Sequence, residues 1–324
     1  MLRTLLAVFL VSMLVACARK DQGRGLLTLT GTSPSPELQG EDSTFYIGYV
    51  DYFPETHEFY TALSYREGFE YPDEDLLESK LDSTIIFDDD WGRERLPIED
   101  AQRILVLEGL DTLAIFNRRH DLICKCPLTR IEYVWNGLES YFIAVFKANK
   151  DFPGQTEELY GISASLPEKY FTSFSTDELE DETFNNFLLG KLKVPVAGQW
   201  EMRHYRVTPP EAMYSVLSSW SSSGSRSYLT FFERNKAQIL NEEVDNFHYL
   251  NILPVPIFVN DKPLMLISAG YPSSDVLWDY LAVFDGTRYE AVEYNRIRAD
   301  LVSVRPAVNY SVTADAGPTA RGVY

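Results

Sequence analysis

Few side chains in this sequence are spaced for chemistry. Cys124 and Cys126 stand two apart in Leu122-Ile-Cys-Lys-Cys-Pro127. The alternation around them reads as a strand, so both thiols point to one face, about 6.5–7 Å apart along the chain. That separation suits a disulfide poorly. Two reduced, partly buried thiols are the plain expectation, and a strained bridge, a redox role or soft-metal ligation are the alternatives. His120 is the one nearby extra ligand, and it falls on the opposite arm of an expected turn. His57, His204 and His248 are scattered. A Ser-His-Asp set can assemble from distant positions, but nothing here picks out its members. Gly161-Ile-Ser163-Ala-Ser165 lacks the second glycine of a nucleophile elbow, and no His-Glu-x-x-His or phosphate-binding glycine loop occurs. Asp88-Asp89-Asp90 is a weak metal candidate, because calcium takes about six to eight oxygens and this run lacks the alternation that turns ligands inward. Asp177, Glu178, Glu180, Asp181 and Glu182 cluster at an expected helix start, where the dipole favours acids without any function. No catalytic set, resident metal or cofactor follows from these residues.

Composition narrows the classes further. The 324 residues carry 29 Lys+Arg against 48 Asp+Glu, a net charge of −19. A general nucleic-acid binder needs a basic footprint, so no nucleic acid is expected as partner. Twelve acids face three bases between Glu70 and Asp100. Such a face repels anionic lipid and steers basic partners. Three cysteines are too few for a disulfide scaffold or a four-thiolate zinc site. Aromatics reach 14%. Tyr46, Tyr49, Tyr52, Phe53, Tyr60 and Tyr65, or Trp200 with Tyr205, are candidates for a sugar-stacking face, although cross-strand pairing explains them as well.

The N-terminus reads as an address. Arg3 precedes an apolar run from Leu5 to Val15, broken only by Ser12. The run is too short to span a bilayer, which takes about 20 residues, and fits the about 7–15 of a secretory h-region. It ends in Leu14-Val15-Ala16-Cys17. This resembles the lipobox of bacterial lipoprotein precursors. The resemblance implies cleavage between Ala16 and Cys17 and a diacylglycerol on the Cys17 thiol. It also implies palmitate-type acylation and a membrane anchor in the cell envelope. Ala18 follows in place of Asp, which by the same resemblance points to the outer membrane, on its periplasmic or surface face. Plain secretion is the alternative, since Ala16-Cys17-Ala18 also fits a small-x-small cleavage site.

Behind the address, residues 1–16 form the signal, 17–43 a Gly- and Ser-Pro-rich tether, 44–300 a globular domain (one large or two packed), and 301–324 a C-terminal segment with a loose tail. The domain reads as mainly β, with many short antiparallel strands. These are expected over 44–52, 59–65, 103–107, 112–117, 122–127, 130–135, 141–148, 159–166, 228–233, 257–259, 264–268, 280–284 and 289–294. Helices are expected at 73–81, 176–192 and 209–220, the last on the spacing of Met213, Val216, Leu217 and Trp220. Phrases beginning at Asp111, Ser227 and Asp279 repeat a strand-and-turn pattern, the last two 52 residues apart. That interval suits an irregular β-propeller, with a multi-sheet β-sandwich or an α+β fold as alternatives. The functional expectation is a non-enzymatic, membrane-anchored binding or scaffold protein with a protein partner in the envelope. An envelope hydrolase acting on glycan or peptide, and an acidic immunity-type lipoprotein, are the rivals.

Overall fold

The computed structural model describes residues 44–66, 92–135, 140–148, 158–180, 182–194, 199–208, 211–221, 224–244, 247–271 and 277–303. The signal, the tether, the helix expected at 73–81, Asp88–Asp90 and 304–324 lie outside these residues.

The protein is mainly β, built from antiparallel strands. The first group is β1 (Thr44–Phe53), β2 (Glu58–Ala62), β3 (Gly92–Leu96), β4 (Thr112–Asn117), β5 (Leu122–Trp135), β6 (Ser140–Lys147) and β7 (Leu159–Ser163). Strands β1-β2-β6-β5-β4-β7 pair in that order, and β7 returns to β1, which closes a six-stranded barrel. β3 pairs onto the second half of β5. Alternate residues point inward: Tyr46 and Val50 from β1, Leu113 and Ile115 from β4, and Phe142, Ala144 and Phe146 from β6. The helix α1 (Ile98–Ile104) adds Ala101 and Ile104 to this core. A barrel this narrow leaves little room. Gly48 and Gly161 pair across the β1–β7 seam. A Cβ on Gly161 would lie 2.8 Å from Leu113 Cδ1 and 2.9 Å from Val50 Cγ2, so the absent side chain admits its neighbours.

The second sheet is a meander of β8 (Ser175–Leu179), β9 (Gln199–Thr208), β10 (Ala212–Ser221), β11 (Gly224–Glu233) and β12 (Lys236–Val244). The helix α2 (Glu182–Leu192) lies on one face, with Leu188 and Leu189 against Met202, Leu217 and Tyr228. The third sheet is β13 (His248–Val259), β14 (Lys262–Gly270), β15 (Leu277–Phe284) and β16 (Tyr289–Ala291), and a short β17 (Arg296–Arg298) returns to β1. One face of the third sheet, with Ile252, Phe258, Met265 and Ile267, meets Tyr205, Val216 and Leu229 of the second. The other, with Leu253, Val255, Leu266 and Leu281, meets Phe45, Ile47, Tyr160 and Ile162 on the outside of the barrel. The third sheet is therefore buried on both faces, which explains why β13 and β14 read as nearly unbroken apolar runs. Barrel, third sheet, second sheet and α2 stack in that order.

Four expectations are corrected. Of the helix expected at 209–220, Ala212–Trp220 belong instead to β10, which pairs with β9 and β11, and 209–210 lie outside the described residues. The helical spacing of β10 is incidental, because both faces of this strand are buried: Tyr214 and Val216 on one, Leu217 on the other. Residues 103–107 are not a strand, because α1 runs to Ile104, with Glu99 and Asp100 in its first turn and Arg103 in its last, as its dipole favours. The helix expected over 176–192 is divided, with β8 taking the acidic half and α2 beginning at Glu182. The repeated phrases do not mark propeller blades. They fall on β4 in the barrel, β11 in the second sheet and β15 in the third, so the interval records recurrent hairpin syntax.

Candidate functional site

The turn from β4 to β5 projects from the barrel toward the second sheet. Asn117 builds it: its side-chain oxygen accepts from the amides of Arg119 and Asp121, while His120 N–H donates to the Asn117 carbonyl. His120 is thereby held at a positive φ of 67°. Its Nδ1 lies 2.8 Å from the Tyr160 hydroxyl on β7 and its Nε2 2.9 Å from Thr176 Oγ1 on β8. The ring joins barrel to second sheet with both nitrogens engaged. Desolvation lowers its pKa to about 4, against a smaller upward pull from Asp121, so the imidazole is neutral at pH 7. Next to it, Arg118 donates to Glu178 at 2.5 Å, lies 3.9 Å from Glu158 and sits 5.1 Å from the centre of the Tyr205 ring. Desolvation works against the Arg118 charge, but Glu178, Tyr205 and Glu158 together outweigh it and the pKa is raised. A cleft of about 540 Å³ opens beside this turn, lined among others by Phe116, His120, Lys125, Glu168, Phe171 and Phe174. Apolar walls with a few charges suit binding of a small group or peptide side chain. With both ring nitrogens held, His120 braces the fold and is not poised as a general base.

A second concentration of charge lies where β1 faces β15. The carboxyl of Asp51 is pushed up by desolvation and by the charge of Asp279. Asp279 is also pushed up by desolvation, while the Ser268 hydroxyl donates to it. Glu158 is raised by desolvation, against the pull of Arg118. By contrast, the buried ion cluster on the barrel wall is structural. Arg130 forks onto Glu58 at 2.6 and 2.7 Å and onto Glu132 at 2.5 Å, and this pairing lowers the Glu58 pKa.

Cys124 and Cys126 stand side by side on β5, facing the barrel interior, with their sulfurs 3.1 Å apart. That is much closer than the spacing expected of neighbours on one strand face. A bulge at Ile123, where Ile115 pairs with Cys124 and Phe116 with Leu122, distorts the strand beside them. The signal cleavage residues Ala16 and Cys17, and Asp88, Asp89 and Asp90, lie outside the described residues.

The other sequence candidates are dispersed. His57 Nδ1 lies 3.2 Å from the Tyr52 hydroxyl. His204 bridges Ser215 at 2.7 Å and Asn185 of α2 at 2.5 Å. Ser163 is buried and accepts from Tyr46 N–H at 2.7 Å while donating to the Gly109 carbonyl at 2.6 Å, so its hydroxyl is committed to the backbone. Asp177 and Glu178 pair with Arg206 and Arg118. Among the described residues, no group of three or more His, Cys, Asp or Glu is placed to hold a metal ion. The aromatic candidates are core or cross-strand pairs: Phe53 stacks on Tyr60 at 4.0 Å, Tyr52 packs on Phe59, and Tyr46 and Tyr205 are buried. Among the described residues, Tyr271 and Trp278 form an exposed aromatic pair, 4.8 Å apart where β14 ends and β15 begins, beside exposed Leu277.

Sequence reasoning missed the His120 brace and the approach of Asp51 to Asp279. The Asn117-Arg-Arg-His turn signalled the first, since a side-chain cap fixes where its fourth residue points. Nothing local signalled the second, which joins strands 228 positions apart. No protein-family model matches the chain, and neither a curated protein nor a solved structure matches it.

Proposed function

We propose that this chain is a lipoprotein of the bacterial envelope, anchored through Cys17, whose β body acts as a non-enzymatic binding or scaffold module. The observation that carries the reading is Leu14-Val15-Ala16-Cys17 at the end of a short apolar run. Several acyl chains hold a protein firmly where one holds it marginally, at about 0.8 kcal/mol per buried CH2. Supporting a binding role are the exposed Tyr271, Leu277 and Trp278, since aromatic side chains dominate protein contacts. No helix among the described residues is long and apolar enough to cross a membrane. Metabolic palmitate labelling tests the anchor: wild type incorporates label and fractionates with membranes, and Cys17→Ala does neither. Equal labelling of the two removes the proposal.

One observation favours a hydrolase as second reading. Asp51 on β1 and Asp279 on β15 are solvent-exposed carboxyl groups near enough that the charge of Asp279 helps raise the Asp51 pKa, the direction a general acid needs. It requires that wild type cleave envelope glycan or peptide fragments and that Asp51→Asn and Asp279→Asn each abolish the cleavage. An inactive wild type decides against it.

A further inference from the structure

We propose that Cys124 and Cys126 are a reversible dithiol–disulfide pair on the inner face of β5, oxidised by exchange with a low-molecular-weight disulfide. The proposal stands on geometry and is independent of the anchor. Both side chains leave β5 on the same face, and their sulfurs converge to 3.1 Å. Closing to a bond of about 2.05 Å takes a further movement of about 1 Å, within reach of side-chain rotation beside a bulge. The two thiols differ in access. Cys124 is half-buried, whereas Cys126 is fully buried against Leu113 and the rest of the barrel core. An incoming disulfide therefore meets Cys124 first, and Cys126 is the resolving thiol behind it. A buried cysteine is usually an inert hydrophobe, but here the buried sulfur has a second sulfur as its polar neighbour.

The pair holds its protons in common. The hydrogen bond from Cys124 lowers the Cys126 pKa, and the same bond raises that of Cys124. One thiol proton is lost to solvent, and the remaining one rests on Cys124, which donates it to the Cys126 thiolate; its transfer to Cys126 frees the more accessible Cys124 as the attacking thiolate. The Cys124 thiolate attacks one sulfur of the oxidant R–S–S–R, forming a mixed disulfide and expelling RS⁻, which takes the proton from Cys126. The Cys126 thiolate then attacks the Cys124 sulfur and expels the second RS⁻. Two electrons leave the dithiol, one oxidant disulfide becomes RSH and RS⁻, and one new S–S bond remains. A bridge across one residue constrains the unfolded chain little, so the consequence is exchange chemistry and not a fold-stabilising staple.

The test uses the folded full chain with oxidised glutathione as the probe. The reaction is quenched in acid, the chain is alkylated in denaturant, and the peptide holding both cysteines is weighed. The expected product is two hydrogens lighter than the reduced peptide, carries no alkyl group, and regains two on treatment with dithiothreitol. Cys126→Ser should accumulate a glutathione adduct on Cys124, and Cys124→Ser should leave Cys126 unmodified while the fold is intact by circular dichroism. Full alkylation of both cysteines in oxidant-treated wild type overturns the proposal. Adducts forming equally on the two single variants overturn the assignment of roles.

Discussion

At the scale of single residues, side chains that look chemically able are mostly spent on the fold. His120 is the clearest case. Its folded pKa of about 4 lies below the ordinary 6.5 of imidazole because burial penalises the charged ring. Between those values the unfolded chain binds a proton that the folded chain refuses. Stability from this residue is therefore complete above pH 6.5 and drains away as pH falls through 4. His120→Gln should flatten the loss of stability between pH 7 and pH 4.5, read by urea unfolding at both values. At pH 7 it should cost about 1–2 kcal/mol for the lost brace between Tyr160 and Thr176. An unchanged pH dependence would show that the ring is not the acid-sensitive joint. Gly161 supports a second prediction. An added methyl would meet Leu113 and Val50 below 3 Å, so Gly161→Ala should destabilise by about 1–3 kcal/mol through overpacking of the barrel. Thermal unfolding reads the difference, and a neutral variant would mean that the seam relaxes freely.

At the scale of elements, turns decide register. The β13–β14 hairpin closes through Asn260 and Asp261, with φ of 49° and 63°, the left-handed pair that a two-residue turn needs. Asn260 also donates from its amide to the Phe284 carbonyl at 2.8 Å, tying the turn to β15. Asn260→Ala should lose both the left-handed tolerance and that bond, about 1–3 kcal/mol together. Chemical denaturation of wild type and variant checks the loss. The same scale shows what the sequence discloses. Strands edged by polar turns were legible: 112–117 coincides with β4 and Leu264 to Ser268 falls within β14. β3, β8 and β12 were not, because Arg93, Glu94, Asp177, Glu178, Glu242 and Glu243 give polar strands whose pairing is set by neighbours distant in the chain. β10 was misread for the opposite reason, since burial on both faces erases the alternation that marks a strand. The thiol pair was legible as a pair, but the 3.1 Å approach of its sulfurs, beside a bulge at Ile123, was not.

At the scale of the whole molecule, the third sheet is the common wall of two cores. Leu253, Val255 and Leu266 belong to the core shared with the barrel, and Ile252, Met265 and Ile267 to the core shared with the second sheet. Adjacent residues of one strand thus hold different layers, and a defect in the wall is felt by both. Leu266 is fully buried, so Leu266→Ala should cost about 2–5 kcal/mol through lost contact and a residual cavity. If the layers fold as one unit, the loss is not confined to the barrel side. Native-state hydrogen exchange should find the slowest amides in β13 and β14 of the wild type. In the variant, protection should fall together in β7 of the barrel and β10 of the second sheet. Loss restricted to the barrel strands would split the molecule into separately stable parts. Joint loss would mean that a partner gripping the exposed Tyr271–Trp278 end of β14–β15 also stabilises the barrel that holds Cys124 and Cys126, since any ligand of the folded state lowers every opening that needs this wall.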